Sequence, residues 1–425
     1  MNYNKSKFNI FVPYNNGEMI VFNSLSGALG KMEADVYKHF EDDSLREEEK
    51  QLLVKKGILV PEDCDETLKI HTDRAEGINN EKKKLFRIWP TSGCNANCYY
   101  CFECGIKKVT MTEIVADGVV SFIDSMLNEG DKLILEWFGG EPLLNVSVID
   151  YIISKLKVIC EAKKCEIDNT MISNGSLIDE KIAKKMKDDW KLSSIQITLD
   201  GIEEDYNRIK SYQQPNKHNF LTVINAIKLL SLNGIHVSIR MNYDTNNYES
   251  LSKLIDFLHK ELSEYKKISY YVYPIWSSTD ETVERAFESK TVADKNLLYL
   301  FEKLVSNKMS TIRKIARLNY KKHACYAWNR TSMAILPDGK ISKCCESFNV
   351  TIGDIWNGIT DTKTYNFWTN SQVEEKCENC VYLPLCQGGC KSSYFNRMPQ
   401  CFAFKPIIED ILKWYVWHLD NEGNI

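Results

Sequence analysis

Three cysteines, Cys94, Cys98 and Cys101, follow one another with three and then two residues between them. Thiolates at such short spacing let one loop wrap an iron–sulfur cluster. Three thiolates on a four-iron cluster leave one iron free to bind another group. A zinc site would want a fourth ligand, which Cys104 would supply. A second field holds Cys325, Cys344, Cys345, Cys377, Cys380, Cys386, Cys390 and Cys401, so that twelve of the 15 cysteines lie within 94–104 and 325–401. Cytosolic thiols stay reduced, so this concentration points to metal or redox work rather than to a disulfide framework. Cys64, Cys160 and Cys165 stand apart and, with Cys104 and His323, read as structural.

Other residues gather at what read as strand ends. Gly139-Gly140-Glu141-Pro142 combines close backbone approach with a carboxylate, which suits an ammonium group. Ser173-Asn174-Gly175 and Asp200-Gly201 end the next two strand-like runs. Arg208 and Arg240 offer forks that match a carboxylate, and Asn242 shares one side of its strand with Arg240. Taken singly, a Gly-Gly or Asp-Gly pair is a turn signal. Their recurrence at strand ends is what suggests a site.

The spacing of Cys94, Cys98 and Cys101, with an aromatic residue, Tyr100, before the third cysteine, resembles the radical SAM superfamily. The resemblance implies that the free iron binds S-adenosylmethionine (SAM) and that its reductive cleavage gives a 5′-deoxyadenosyl radical. It implies that Gly139, Gly140, Glu141 and Pro142 hold the SAM amino group and that Ser173 and Asn174 lie near the ribose. Arg208 and Arg240 become candidates for the SAM carboxylate, with Tyr100, Asp200 and Asn242 completing the cofactor set.

The downstream cysteines resemble the SPASM domain, which carries two auxiliary 4Fe–4S clusters. That resemblance assigns Cys377, Cys380, Cys386 and Cys401 to an outer cluster, and Cys325, Cys344 and Cys390 to an inner one. Three readings stand for the fourth position of the inner cluster: open, substrate-bound, or filled by Cys345. Adjacent residues on a regular strand face opposite ways, which argues against Cys344 and Cys345 sharing a cluster and leaves Cys345 as a buried thiol. A zinc ribbon is the simpler reading of Cys377–Cys390 taken alone.

Two subfamilies compete for the reaction. Sulfatase-maturating enzymes, which make formylglycine, typically carry an aspartate right after the second SPASM cysteine; here that residue is Cys345. They also begin close to the radical SAM core, whereas this chain has about 80 residues before it. That stretch, with its phrase FNSLSGAL, resembles the PqqD-like unit with which peptide maturases grip a precursor leader by strand addition. The implied activity is that of an oxidoreductase forming a cysteine thioether in a ribosomal precursor peptide. A carbon–carbon cross-linker would use the same apparatus. The implied partners are the precursor and a reductant such as flavodoxin or ferredoxin. A non-enzymatic iron–sulfur carrier would explain the cysteines but not the GGEP segment.

These residues need a frame. Residues 7–75 contain two apolar stretches around Asn15-Asn16-Gly17, two helical patterns and a strand-like run, a winged-helix-like order. Residues 71–84 read as a polar linker. From 85 to 275 six strand candidates alternate with helical patterns, which implies a parallel sheet with helices outside it. Six units suit a partial barrel with chemistry at the C-terminal strand ends. Pro337-Asp338-Gly339 marks a hairpin turn, and residues 407–419 a closing helix. The expected fold is α/β: a winged-helix-like, PqqD-like domain over 1–80, a partial (β/α)6 radical SAM barrel over 85–290, and a bridging helix, SPASM domain and last helix over 291–425. A net charge of −4 gives no reason to expect nucleic acid, and no apolar run approaches the roughly 20 residues that cross a bilayer. Without a signal-peptide pattern, the expected location is cytoplasmic.

Overall fold

The computed structural model describes residues 2–103, 105–244, 246–275, 293–322, 325–395 and 401–422. Cys104 and His323 lie outside the described residues. The N-terminal part pairs β1 (Tyr3–Lys5) with β5 (Leu59–Pro61), and builds a three-stranded antiparallel sheet from β2 (Asn9–Pro13), β3 (Met19–Asn23) and β4 (Leu29–Met32). Asn15-Asn16-Gly17 makes the β2–β3 turn, with Asn16 and Gly17 at positive φ. Strand alternation gives the sheet two apolar faces. Val21 and Met32 pack with Phe40 and Leu53 of the two helices Ala34–Glu41 and Glu47–Lys55. Ile10, Val12, Ile20 and Phe22 join the main core, where Ile411, Leu412 and Val416 of the last helix, Ile408–Glu422, also sit.

Residues 71–84 are not a linker. Helix Glu66–Ile78 covers most of that stretch, capped by Asp65, which accepts from the amides of Thr67 and Leu68. Its polar residues are used in packing. Arg74 is buried and donates to the carbonyls of Ser371, Gln372 and Gln387, while Tyr320 donates to Asp73 at 2.7 Å.

Six parallel strands follow: β6 (Lys83–Ile88), β7 (Lys132–Trp137), β8 (Glu166–Ser173), β9 (Leu192–Thr198), β10 (His236–Tyr243) and β11 (Ile268–Pro274). They pair in sequence order, and helices such as Glu113–Met126, Val146–Ala162 and Tyr248–Leu262 connect them. β6 and β11 are not neighbours, so the run stays open as a partial barrel. The Pro337–Gly339 hairpin does not stand apart from it. β12 (Met333–Ile335) adds parallel to β6, and β13 (Lys340–Ser342), β14 (Thr351–Asp354) and β15 (Gly358–Ile359) continue the same ten-stranded sheet. The second cysteine field is thereby carried to the open side of the barrel. No described helix is long and apolar enough to cross a membrane.

Candidate active site

The first cysteine group occupies the loop after β6. Neighbouring chain staples that loop: the amide of Asn97 donates to the carbonyl of Lys210 at 2.8 Å, and Gln213 donates from its amide to Asn95 O and from its side chain to Cys94 O. The thiols of Cys94, Cys98 and Cys101 lie within electrostatic reach of one another. Burial, together with the Glu141 carboxylate, pushes the Cys94 thiol up to about 12, and burial likewise raises Cys98 and Cys101. Such thiols release their protons when a cationic cluster binds. Among the described residues, no three His, Cys, Asp or Glu side chains close around a single metal ion. A four-iron cluster asks for something else, one thiolate for each of several irons spread around a volume.

The GGEP segment packs directly on this loop. A Cβ on Gly140 would stand 2.2 Å from Gly93 O, and one on Gly139 would stand 2.4 Å from Thr91 O, so only glycine fits. Pro142 opens a short 3-10 turn, as its missing N–H allows. The Glu141 carboxylate does not face open space as an ammonium ligand should. It is fully buried and accepts from Leu143 N, Ser173 Oγ and Asn174 N, and burial raises it to about 7. Ser173 and Asn174 are engaged in the same tie, since Asn174 Nδ2 donates to Asn95 Oδ1 at 2.8 Å. These residues fasten two strand ends to the cysteine loop.

Beside the loop lies a buried network. Tyr100 donates to Asp200 at 2.7 Å, Lys210 pairs with Asp200 at 2.7 Å, and Asn242 donates to Asp200 at 2.7 Å and to Tyr100 Oη at 3.1 Å. Side chains of Lys210 and Asp200 are 2% and 0% exposed. Burial opposes the lysine charge, but Asp200, with Tyr100, Cys98 and Tyr206 behind it, outweighs burial and raises the lysine above its ordinary value. Sequence reasoning missed Lys210; its one signal was a position two residues beyond Arg208, on the last turn of helix Glu203–Lys210.

The two candidate arginines do not converge. Arg208 is 69% exposed, pairs with Asp205 and lines a hollow with Asn97, Tyr99 and Asp244. Arg240 donates to Asn242 Oδ1 at 2.7 Å and faces a different cavity of about 380 Å³. Tyr100, Cys101, Phe102 and Phe138 line that cavity together with Arg87, Cys345 and Glu346, and Arg87 lies against the Phe138 ring. The first cysteine loop and the auxiliary segment thus border one shared space. Glu103, also missed, is largely buried nearby with an unpartnered Oε2, and burial raises it to about 8.

The auxiliary cysteines form two groups. Cys377, Cys380, Cys386 and Cys401 line a common small cavity. Cys325, Cys344 and Cys390 form the second group through electrostatic contact of Cys325 with each of the others. The expectation that Cys344 and Cys345 face opposite ways fails, because β13 ends at Ser342 and a 3-10 turn begins at Cys345. Strand alternation stops there, and the two thiols hydrogen-bond each other.

Residues 88–258 match the Radical SAM superfamily. The cysteine-type anaerobic sulfatase-maturating enzyme of Clostridium perfringens is 24% identical over 327 residues, covering 71% of this chain and 86% of that one. An uncharacterized protein of Methanocaldococcus jannaschii is 29% identical over 169 residues, 40% of this chain and 56% of its own length. Among solved structures, anSMEcpe with bound AdoMet superposes with a TM-score of 0.60 at 18% identity, over 80% of this chain and 95% of that one. Streptococcus suis SuiB bound to precursor peptide SuiA gives 0.52 at 15% identity, over 95% and 99%. The glycine cradle against the cysteine loop and the three thiol groups fit SAM and 4Fe–4S clusters as resident cofactors. This chain carries a radical SAM domain over residues 88–258 and has the fold of the anSMEcpe and SuiB structures.

Proposed function

We propose that the chain matures a ribosomal precursor peptide, joining a peptide cysteine sulfur to a carbon as a thioether. One observation carries this reading: a single cavity is lined both by Cys101 of the first cysteine loop and by Cys345 of the auxiliary segment. When bound, SAM and the clusters supply a 5′-deoxyadenosyl radical and an acceptor for the electron that leaves the substrate. The chain's own residues do the rest. Cys94, Cys98 and Cys101 hold the first cluster, and the Gly139–Pro142 segment, Ser173 and Asn174 shape the SAM site around it. Arg240 is the arginine placed to meet the SAM carboxylate, while Asp200, Lys210 and Asn242 fix Tyr100 beside the loop. Phe102, Phe138, Ile172 and Ile275 give the cavity apolar walls that keep water from a substrate radical.

A peptide substrate fits the relatives, one named for maturing a sulfatase and one bound to a precursor peptide. The position taken by aspartate in the sulfatase-maturating pattern is Cys345 here, which favours cross-linking over formylglycine formation. The N-terminal sheet offers β4 as an outer strand, with main-chain groups suited to leader addition. We assign residues 1–80 to that role, 85–290 to radical generation and 291–425 to the auxiliary clusters, with flavodoxin or ferredoxin as reductant. The test is mass spectrometry of a cysteine-containing peptide encoded beside this gene and co-expressed with the enzyme. A loss of two hydrogens with the thiol no longer alkylatable supports the thioether. The same loss with a free thiol shows carbon–carbon bonding. An unmodified peptide in the presence of SAM cleavage contradicts the proposal.

A further inference from the structure

We infer that Cys345 is the fourth thiolate ligand of the inner auxiliary cluster and that Arg87 holds it there. The inference rests on grouping Cys325, Cys344 and Cys390 at one cluster; it is independent of the product the enzyme makes.

Four observations carry it. First, the chain leaves strand geometry at the right place: Ser342 Oγ lies 3.0 Å from the carbonyls of Cys344, Ser347 and Val350, which folds the turn back and sets the two thiols side by side. Second, the three segments that carry the inner cysteines are tied at this turn. The amide of Cys345 donates to Tyr326 Oη at 3.0 Å, next to Cys325, and Ser347 Oγ meets Ser392 Oγ at 2.6 Å, two residues after Cys390. Third, Cys345 lies within electrostatic reach of Cys325 as well as Cys344. Fourth, Arg87 Nη1 donates to Cys345 Sγ at 2.7 Å.

That last contact separates a ligand from a spare thiol. Arg87 is 16% exposed, and its guanidinium lies 5.1 Å from the Phe138 ring and 4.5 Å from the Tyr326 ring, with Glu136 as its ion partner. Arginine stays charged in such a place, so a buried cation is aimed at the sulfur. A neutral buried thiol is a weak acceptor and gives the guanidinium little in return. A thiolate in a cluster gives it a charge-assisted hydrogen bond. Hydrogen bonds to cluster sulfurs also raise the reduction potential, which suits a cluster that takes an electron from the cavity beside it. Closing the inner cluster with a protein thiolate keeps a substrate sulfur off that iron.

The test uses the full chain, reconstituted anaerobically in a C94A/C98A/C101A background, so that the reduced EPR spectrum reports the auxiliary clusters alone. With Cys345 present, added imidazole leaves the spectrum unchanged, because every iron has its thiolate. In Cys345→Ala the inner cluster is lost, with about half of the roughly eight auxiliary irons, or it survives with a signal that imidazole shifts. Cys345→Ser, which keeps the side-chain volume, alters the g values of one cluster. An imidazole-dependent shift with Cys345 intact overturns the assignment whether or not the variants fold. So does a Cys345→Ala protein with the full iron content and the parent spectrum.

Discussion

The two cysteine fields differ in how they are made. Cys94, Cys98 and Cys101 share one loop, and its supports come from neighbouring strand ends and one helix end: Gly140 against Gly93, Asn174 against Asn95, Lys210 against Asn97. The inner auxiliary group is assembled from Cys325, the Cys344–Cys345 turn and Cys390, and is held by Arg87 from a barrel strand. The outer group leans on Arg74, more than 290 residues away in sequence from the carbonyls it caps. A local site needs its own loop. An assembled site needs most of the molecule, and this explains why an N-terminal helix packs under a C-terminal cysteine segment.

This contrast can be broken or sharpened in order of expected effect. Cys98→Ala removes 5′-deoxyadenosine formation, a loss of about a hundredfold or more, yet leaves the auxiliary EPR signals in place. Lys210→Met strands the Asp200 carboxylate in the interior and costs about 3–5 kcal/mol in urea unfolding, and the K210M/D200N pair recovers part of it. Arg74→Met leaves the Ser371, Gln372 and Gln387 carbonyls without their donor and costs about 1.5–3 kcal/mol, read as faster loss of outer-cluster absorbance while the first cluster persists. Arg240→Ala weakens SAM binding by roughly tenfold, the worth of one lost charge-assisted contact, whereas the exposed Arg208–Asp205 pair changes it by less than about threefold. Equal effects at the two arginines would remove the distinction between their cavities.

The same contrast governs what could be read from the sequence. The six barrel strands were legible as an alternating strand–helix run, because long runs such as His236–Tyr243 carry their own period and turn signals. The first cysteine loop and its GGEP partner were legible because their spacing is local. β4 was missed because Leu-Gly-Lys-Met has little strand character of its own and is ordered by pairing with β3. Residues 71–84 read as a linker because Asp73 and Arg74 are polar, and their use lies in contacts with Tyr320 and Gln387 that no local pattern records. Arg87 carried no local signal, and the alternation argument about Cys344 and Cys345 carried strand geometry three residues past Ser342, where β13 ends. Lys210 was hidden for the same reason, since only the fold brings it to Asp200 and Tyr100.

The central claim is that a radical made at the Cys94–Cys101 loop is handed to a peptide across the shared cavity. The most direct measurement feeds the enzyme, with SAM and reductant, a precursor peptide carrying deuterium on its carbon positions, and examines the 5′-deoxyadenosine by mass spectrometry. The account predicts 5′-deoxyadenosine one mass unit heavier, with a matching loss of deuterium from the peptide. Unlabelled 5′-deoxyadenosine beside a fully deuterated peptide would contradict it.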